Sequence, residues 1–272
     1  MGEGGEFVKT GCLLLFLYFF FLADQNNMST VFIRFYEELN DFLPPQKRKL
    51  LYPVGFSGNP GVKQIIEAEG VPHAEIDLVL VNGNSVSLDH KINDNDTVSV
   101  YPVFESFDIS SIQVIHLKPL RELKFVLDVH LGKLARYLRM LGLDSIYENW
   151  FTDDELIAIS NRENRTILTR DKRLLMRKEI QRGYWMRNQM ILDQVNEVVK
   201  RFDLKNSITF FSRCTLCNGE NNKINGDIAM LEFPGYRFYP GTAFYQCNTC
   251  QHIYWHGSHC ERFEKVITKI LN

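Results

Sequence analysis

The spacing of apolar residues changes several times along the chain, and each change marks an element. Over residues 30–36 (TVFIRFY) apolar and polar positions alternate, which predicts a first strand, and KLLYPV over 49–54 predicts a second. GVKQIIEAEG over 61–70 switches to helical spacing, then IDLVLVNG over 76–83 and TVSVYPV over 97–103 return to strand runs. Two strands, a helix and a return to strands predict an α+β layer, with tight reversals at Asn82-Gly83 and in the acidic loop Asn93–Asp96.

From Lys124 to Leu174 the alternation is steadier: KFVLD, a helical stretch, DSIY, a second helical stretch from TDDELIAIS, then TILTRD and KRLLMRKEI. Strand and helix patterns in turn predict an α/β layer built on a parallel sheet. Leu131, Leu134, Ala135, Leu138 and Leu141 share one helical face, while Lys133, Arg136 and Arg139 recur at threes on another. Asp128 and Asp171 fall where apolar strand runs stop. At the carboxyl ends of neighbouring parallel strands side chains converge on one crevice, so Asp128, Asp153, Asp154 and Asp171 are candidates to share one ion there.

A length of 272 residues, 45% of them hydrophobic, suffices for one to three packed domains and excludes a disordered chain. The net charge of −2 hides an asymmetry. Residues 28–117 carry 6 Lys/Arg against 12 Asp/Glu, whereas residues 118–213 carry 19 against 13. The middle region therefore suits a polyanion better than the segment before it. Arg162, Arg165, Arg170, Lys172, Arg173, Arg177 and Lys178 crowd around Asp171 and favour nucleic acid, although basic residues also serve simply to solvate helices.

The apolar run CLLLFLYFFFLA within residues 1–27 is shorter than the about 20 residues a spanning helix needs. It also lacks a basic start and a small-x-small cleavage pattern, so an upstream extension ahead of a true start at Met28 is expected, with no stable membrane insertion.

Cys214-x-x-Cys217 and Cys247-x-x-Cys250 are two knuckle-like pairs, a pattern that gives a closed tetrahedral zinc site of structural type. Cys260, His252, His256 and His259 are alternative ligands. An extended hairpin carrying Pro234, Gly235, Pro240 and Gly241 is expected between the pairs. Tyr254 and Trp255 either pack this small module or stack on bases. Zinc thiolates rather than disulfides point to a cytoplasmic location.

The blocks LDVHLGKLARYLRMLGLDSIYEN, TDDEL and ILTRDKRLL resemble the Mut-seven-C RNase domain, a PIN-like nuclease family, and the tail ending YWHGSHCERF resembles its zinc-binding C-terminus. The likeness runs from about Leu120 to Phe263. The segment ahead, with VNGNSVSLDHKINDNDTVSVYP, resembles ubiquitin-like and sulfur-carrier β-grasp domains, but no Gly-Gly follows it and carrier chemistry is not expected. The implied order is an extension (1–27), a β-grasp domain (28–103), a linker (104–120), a PIN-like α/β domain (121–208) and a zinc ribbon (209–272).

What the resemblance implies is a metal-dependent ribonuclease. Asp128, Asp153, Asp154 and Asp171 would hold Mg²⁺ or Mn²⁺, while Lys133, Arg136, Arg139 and Arg170 would contact RNA phosphates. Cys214, Cys217, Cys247 and Cys250 would bind Zn²⁺, and the β-grasp domain would meet a protein partner. Three of these residues have a simpler reading. Thr152–Glu155 is also a capping box, which accounts for Glu155 and for much of Asp153 and Asp154. Asp171 is also a preferred N-cap. Asp193, Glu197 and His130 are weaker candidates, and a noncatalytic RNA-binding adaptor is the competing reading.

Overall fold

The computed structural model describes residues 28–102 and 123–268, apart from scattered positions beyond Gly235. The extension 1–27, the expected linker, and Cys260, His256 and His259 lie outside the described residues. The described residues divide into two compact units, the first holding 28–71 and 76–102, the second 72–75 and the described residues from 123 onward.

The first unit is a five-stranded sheet with one α-helix. Strands β1 (Ser29–Phe35), β2 (Tyr52–Phe56), β3 (Ile76–Val81), β4 (Asn84–Ser85) and β5 (Thr97–Pro102) run in the order β2-β1-β5-β3-β4. The central pair β1 and β5 is parallel and the other pairings are antiparallel. This is a β-grasp arrangement, and helix α1 (Val62–Ala68) buries Val62, Ile65 and Ile66 in its core beside Val31, Ile33, Val98 and Val100. Asn82 (φ 50°) and Gly83 (φ 83°) make the β3–β4 reversal. The Asn82 amide donates to Asp96 Oδ1 at 2.8 Å, which ties this turn to the acidic loop.

The second unit is built on four parallel strands, β6 (Phe125–Leu127), β7 (Ser145–Ile146), β8 (Thr166–Thr169) and β9 (Gly183–Trp185), in the order β7-β6-β8-β9. Helix α2 (Gly132–Met140) follows β6 and buries Leu134, Ala135 and Leu138. It ends in a Schellman motif: Leu143 N–H donates to Leu138 O, Gly142 N–H donates to Arg139 O, and Gly142 supplies the left-handed φ of 85°. A Cβ there would stand 2.3 Å from Thr209 O, so glycine is required twice over.

Helix α3 (Asp153–Glu163) starts at the expected capping box, Thr152 Oγ1 accepting from Glu155 N–H and Glu155 Oε2 accepting from Thr152 N–H. The helix expected over KRLLMRKEI is only one turn, α4 (Lys172–Leu175). Beyond it Met176, Arg177 and Ile180 each bond three residues back, a tighter winding that drops Ile180 into the core. Strand β9, too short to show a period, was not legible in the sequence. Helix α5 (Ile191–Arg201) closes the layer with Val195, Val198 and Val199.

The cysteine module carries strands β10 (Asn221–Ile224), β11 (Phe244–Cys247) and β12 (Ile253–Trp255) in an antiparallel sheet. A short helix, α6 (Gly226–Glu232), occupies part of the interval where a plain hairpin was expected. It buries Ala229 against Phe244 and Ile253, giving the small sheet an apolar cover.

Candidate functional site

The acidic candidates follow the carboxyl ends of three adjacent strands. Asp128 comes directly after β6 and is 7% exposed. Its backbone N–H donates to Leu168 O at 3.0 Å, which continues the ladder with β8 and sets Asp128 beside Thr169. The Thr169 hydroxyl donates to Asp128 Oδ2 at 2.7 Å and accepts from Asp171 N–H at 2.9 Å. Asp128 and Asp171 thus belong to one hydrogen-bonded chain, with Thr169 as its centre. Among the described residues, the Thr169 hydroxyl is the hydrogen-bond donor to the Asp128 carboxylate. A carboxylate this buried, with one neutral donor, is expensive without a cation.

Asp171 itself is exposed, and its Oδ1 accepts from Arg173 N–H at 2.7 Å, so its N-cap role is real. Asp153 and Asp154 lie in the exposed first turn of α3. Asp154 pairs with Arg177 at 2.7 Å. Among the described residues, only the four cysteines form a group of three or more His, Cys, Asp or Glu whose ligand atoms lie within 4.8 Å of one another. Thr169 ties the Asp128 carboxylate to the backbone amide of Asp171, while the carboxylates of Asp171 and Asp154 meet Arg173 N–H and the Arg177 guanidinium. Glu197 is taken up by Tyr184, Arg187 and Asn188, Asp193 is exposed, and His130 is exposed.

Lys133 and Arg136 are exposed on α2, as a basic ridge requires, and Arg170 is exposed between Thr169 and Asp171. Arg139 is not on that ridge. It is 4% exposed, and its guanidinium donates to the carbonyls of Ser145 (2.8 Å), Leu216 (2.8 Å), Thr215 (3.2 Å) and Tyr147 (3.4 Å). Spacing by threes placed it with Lys133 and Arg136, but the long side chain turns inward to bind the loop of the first cysteine knuckle. Burial depresses its pKa, a pull that nearby acidic groups oppose.

A second tie runs beside it. Asp144 accepts from Arg165 at 2.6 Å and from the Asn218 amide at 2.7 Å, and Asn218 Oδ1 accepts from Ser145 N–H. Burial raises the Asp144 pKa, but the hydrogen bonds from Arg165 and Asn218 outweigh it and hold the carboxyl below its usual range. Neither tie was foreseen from sequence. Thr169 was also missed, although a polar residue directly after Ile167-Leu168 and two places before Asp171 was a usable signal.

Cys214 and Cys250 sulfurs stand 3.5 Å apart and those of Cys217 and Cys247 3.4 Å, far from a disulfide and near the about 3.8 Å edge of a tetrahedron with Zn–S bonds of about 2.3 Å. The four can hold a structural metal such as zinc. Amide N–H groups of Cys217, Thr249 and Cys250 point at Cys214 and Cys247 sulfurs, as suits thiolates. Burial raises the Cys214 thiol, yet the Tyr254 hydroxyl and neighbouring amides outweigh it and bring it down to about 7. Tyr254 therefore serves the knuckle, and Trp255 packs on Phe233 and Phe238. Both side chains thus make packing or hydrogen-bond contacts within the module. His252 lies edge-on to Tyr254.

Among the described residues, no helix is long and apolar enough to cross a membrane. No curated protein and no solved structure matches the chain. The family model for the Mut7-C ubiquitin domain matches residues 28–108, which carry the β-grasp sheet. The model for the Mut7-C RNAse domain matches residues 123–267, which carry the parallel sheet, the acidic chain and the cysteine module. With more than half of its length matched by that one model, the chain belongs to the Mut7-C RNAse domain family.

Proposed function

We propose that the chain is a ribonuclease that hydrolyses RNA phosphodiester bonds at the carboxyl edge of the parallel sheet, with Asp128 and Asp171 as ligands of a Mg²⁺ or Mn²⁺ ion. The observation that carries this reading is the buried Asp128 carboxylate, joined through Thr169 to Asp171 at the ends of adjacent strands. Hard divalent ions suit one or two carboxylates with the remaining positions left to water and substrate phosphate, so Asp128 and Asp171, at the ends of adjacent strands, would suffice. Bound there, such an ion supplies charge neutralisation at the phosphate and an activated water.

The chain's own residues do the rest. Thr169 fixes the Asp128 carboxylate, and the amide of Asp171 fixes Thr169, so the acidic edge is set before substrate arrives. Lys133, Arg136 and Arg170, all exposed, hold the phosphates of the strand. Asp153 and Asp154 contribute negative charge near the edge, with Asp154 modulated by Arg177. The cysteine module is structural and takes zinc, and its thiols fit a reducing compartment such as the cytoplasm. The β-grasp domain offers a surface for a protein partner.

The test is labelled single-stranded RNA incubated with zinc-loaded protein, with and without added Mn²⁺, beside Asp128→Asn. Cleavage that needs Mn²⁺ and is lost in the variant supports the reading. Cleavage that survives both, or never occurs, rejects it. The exposed, dispersed Asp153 and Asp154 favour the competing reading, a noncatalytic RNA-binding adaptor, which RNA binding without turnover would support.

A further inference from the structure

We propose that a pocket of about 400 Å³ between α2 and the first cysteine knuckle is a subsite for one nucleotide of a single-stranded RNA. The inference rests on the ribonuclease reading for its choice of RNA, and it concerns a place apart from the carboxylates. Lys133 and Arg136 line one wall, Tyr147 and Glu148 another, and Thr215 and Leu216 of the knuckle loop the third.

Its charge favours an anion. Among the described residues Lys133 and Arg136 have no ion-pair partner, and Glu148 is the acidic residue among those lining the pocket. Arg139 adds a buried positive charge held by carbonyl oxygens rather than by a carboxylate. Glu148, Cys214, Cys217 and Asp144 act on that charge, so the open positive excess of the wall rests on Lys133 and Arg136. A phosphate meeting Lys133 and Arg136 neutralises that excess.

Its apolar surface favours a base. Leu216 is 53% exposed, and Trp150, beside the lining residue Asn149, is 67% exposed. An exposed leucine in the same lining as Lys133 and Arg136 suits a phosphate with an attached base. The wall is also rigid. Tyr147 donates to Val129 O at 3.1 Å and lies so close over Gly132 that a Cβ there would stand 2.6 Å from its hydroxyl. The volume lies within the range of small-ligand sites. One 3₁₀ turn, Val129–Leu131, separates Asp128 from the start of α2, so a strand cut at the acidic edge passes this pocket.

The test uses the full chain, zinc-loaded, in an Asp128→Asn background so that RNA is not consumed. Binding of a fluorescent oligouridylate is measured by anisotropy across a salt series, with and without Lys133→Ala plus Arg136→Ala, and separately with Leu216→Ser. The double variant is expected to bind at least tenfold more weakly. Its log–log salt slope should fall by about 0.7, the value for one phosphate contact of a single strand. Leu216→Ser should weaken binding with the slope unchanged, and uridine monophosphate should compete better than inorganic phosphate. Unchanged zinc content and urea midpoint establish that the variants are folded.

Affinity and slope within twofold of the parent in the double variant would overturn the proposal, as would equal competition by phosphate. If Asp128-dependent cleavage occurs while the double variant binds normally, the pocket fails and the ribonuclease reading stands. If the slope falls as expected but the parent never cleaves RNA, the pocket stands and the ribonuclease reading fails.

Discussion

Thr169→Val is the sharpest probe of the acidic edge. Valine keeps the β-branched shape that a buried strand position wants and removes only the hydroxyl. That hydroxyl makes two bonds: a charge-assisted one to Asp128 Oδ2 at 2.7 Å and an acceptor bond from Asp171 N–H at 2.9 Å. A hydrogen bond to a charged group contributes about 1.5–3 kcal/mol and a neutral one about 1 kcal/mol. The substitution should therefore destabilise the second unit by roughly 2.5–4 kcal/mol in the absence of added divalent ions. Trp150, Trp185 and Trp255 are the chain's three tryptophans and all lie in that unit, so tryptophan fluorescence during urea unfolding reports it alone. Outer-shell partners of metal ligands are generally worth about 10–100-fold in activity or metal affinity. A loss of that size in Mn²⁺-dependent cleavage should accompany the destabilisation. A Thr169→Val chain that unfolds within about 0.5 kcal/mol of the parent and cleaves RNA at the parent's rate would refute the idea that Thr169 organises the site.

Three further outcomes are expected. Arg139→Met should loosen the knuckle loop, leaving the Ser145 and Leu216 carbonyls without their donor, at a cost of about 2–5 kcal/mol, read as lowered stability and faster zinc release. Asp144 has a depressed folded-state pKa, so its contribution is present above the ordinary carboxylate value of about 4 and is lost as pH falls below it. Asp144→Asn should lower stability at neutral pH and flatten the acid limb of the pH–stability curve, and an unchanged acid limb would assign the sensitivity elsewhere. Cys247→Ser should abolish stoichiometric zinc binding, measured on the purified chain by metal analysis, while the far-ultraviolet signal of the parallel-sheet layer persists.

Strand β1, helix α1 and strands β3 and β5 were readable because each has a clear hydrophobic period and ends at a turn residue such as Gly83. The same holds for β6, α2, α3 and β8. The cysteine pairs were readable because coordination chemistry dictates ligand spacing within each knuckle. Local preference and local chemistry thus settled which elements form and which thiols gather, since both act over a few neighbouring residues. Only tertiary structure decided what the charged side chains do. Arg139 has the spacing of a surface cation, yet its length let it reach carbonyls more than seventy residues away, and burial made those bonds worth keeping. Asp128 and Asp171 look equivalent in sequence, but strand register buries the first beside Thr169 and leaves the second capping a helix in solvent. Partner choice among long or ionised side chains depends on distances that the fold creates, and no period along the chain encodes them.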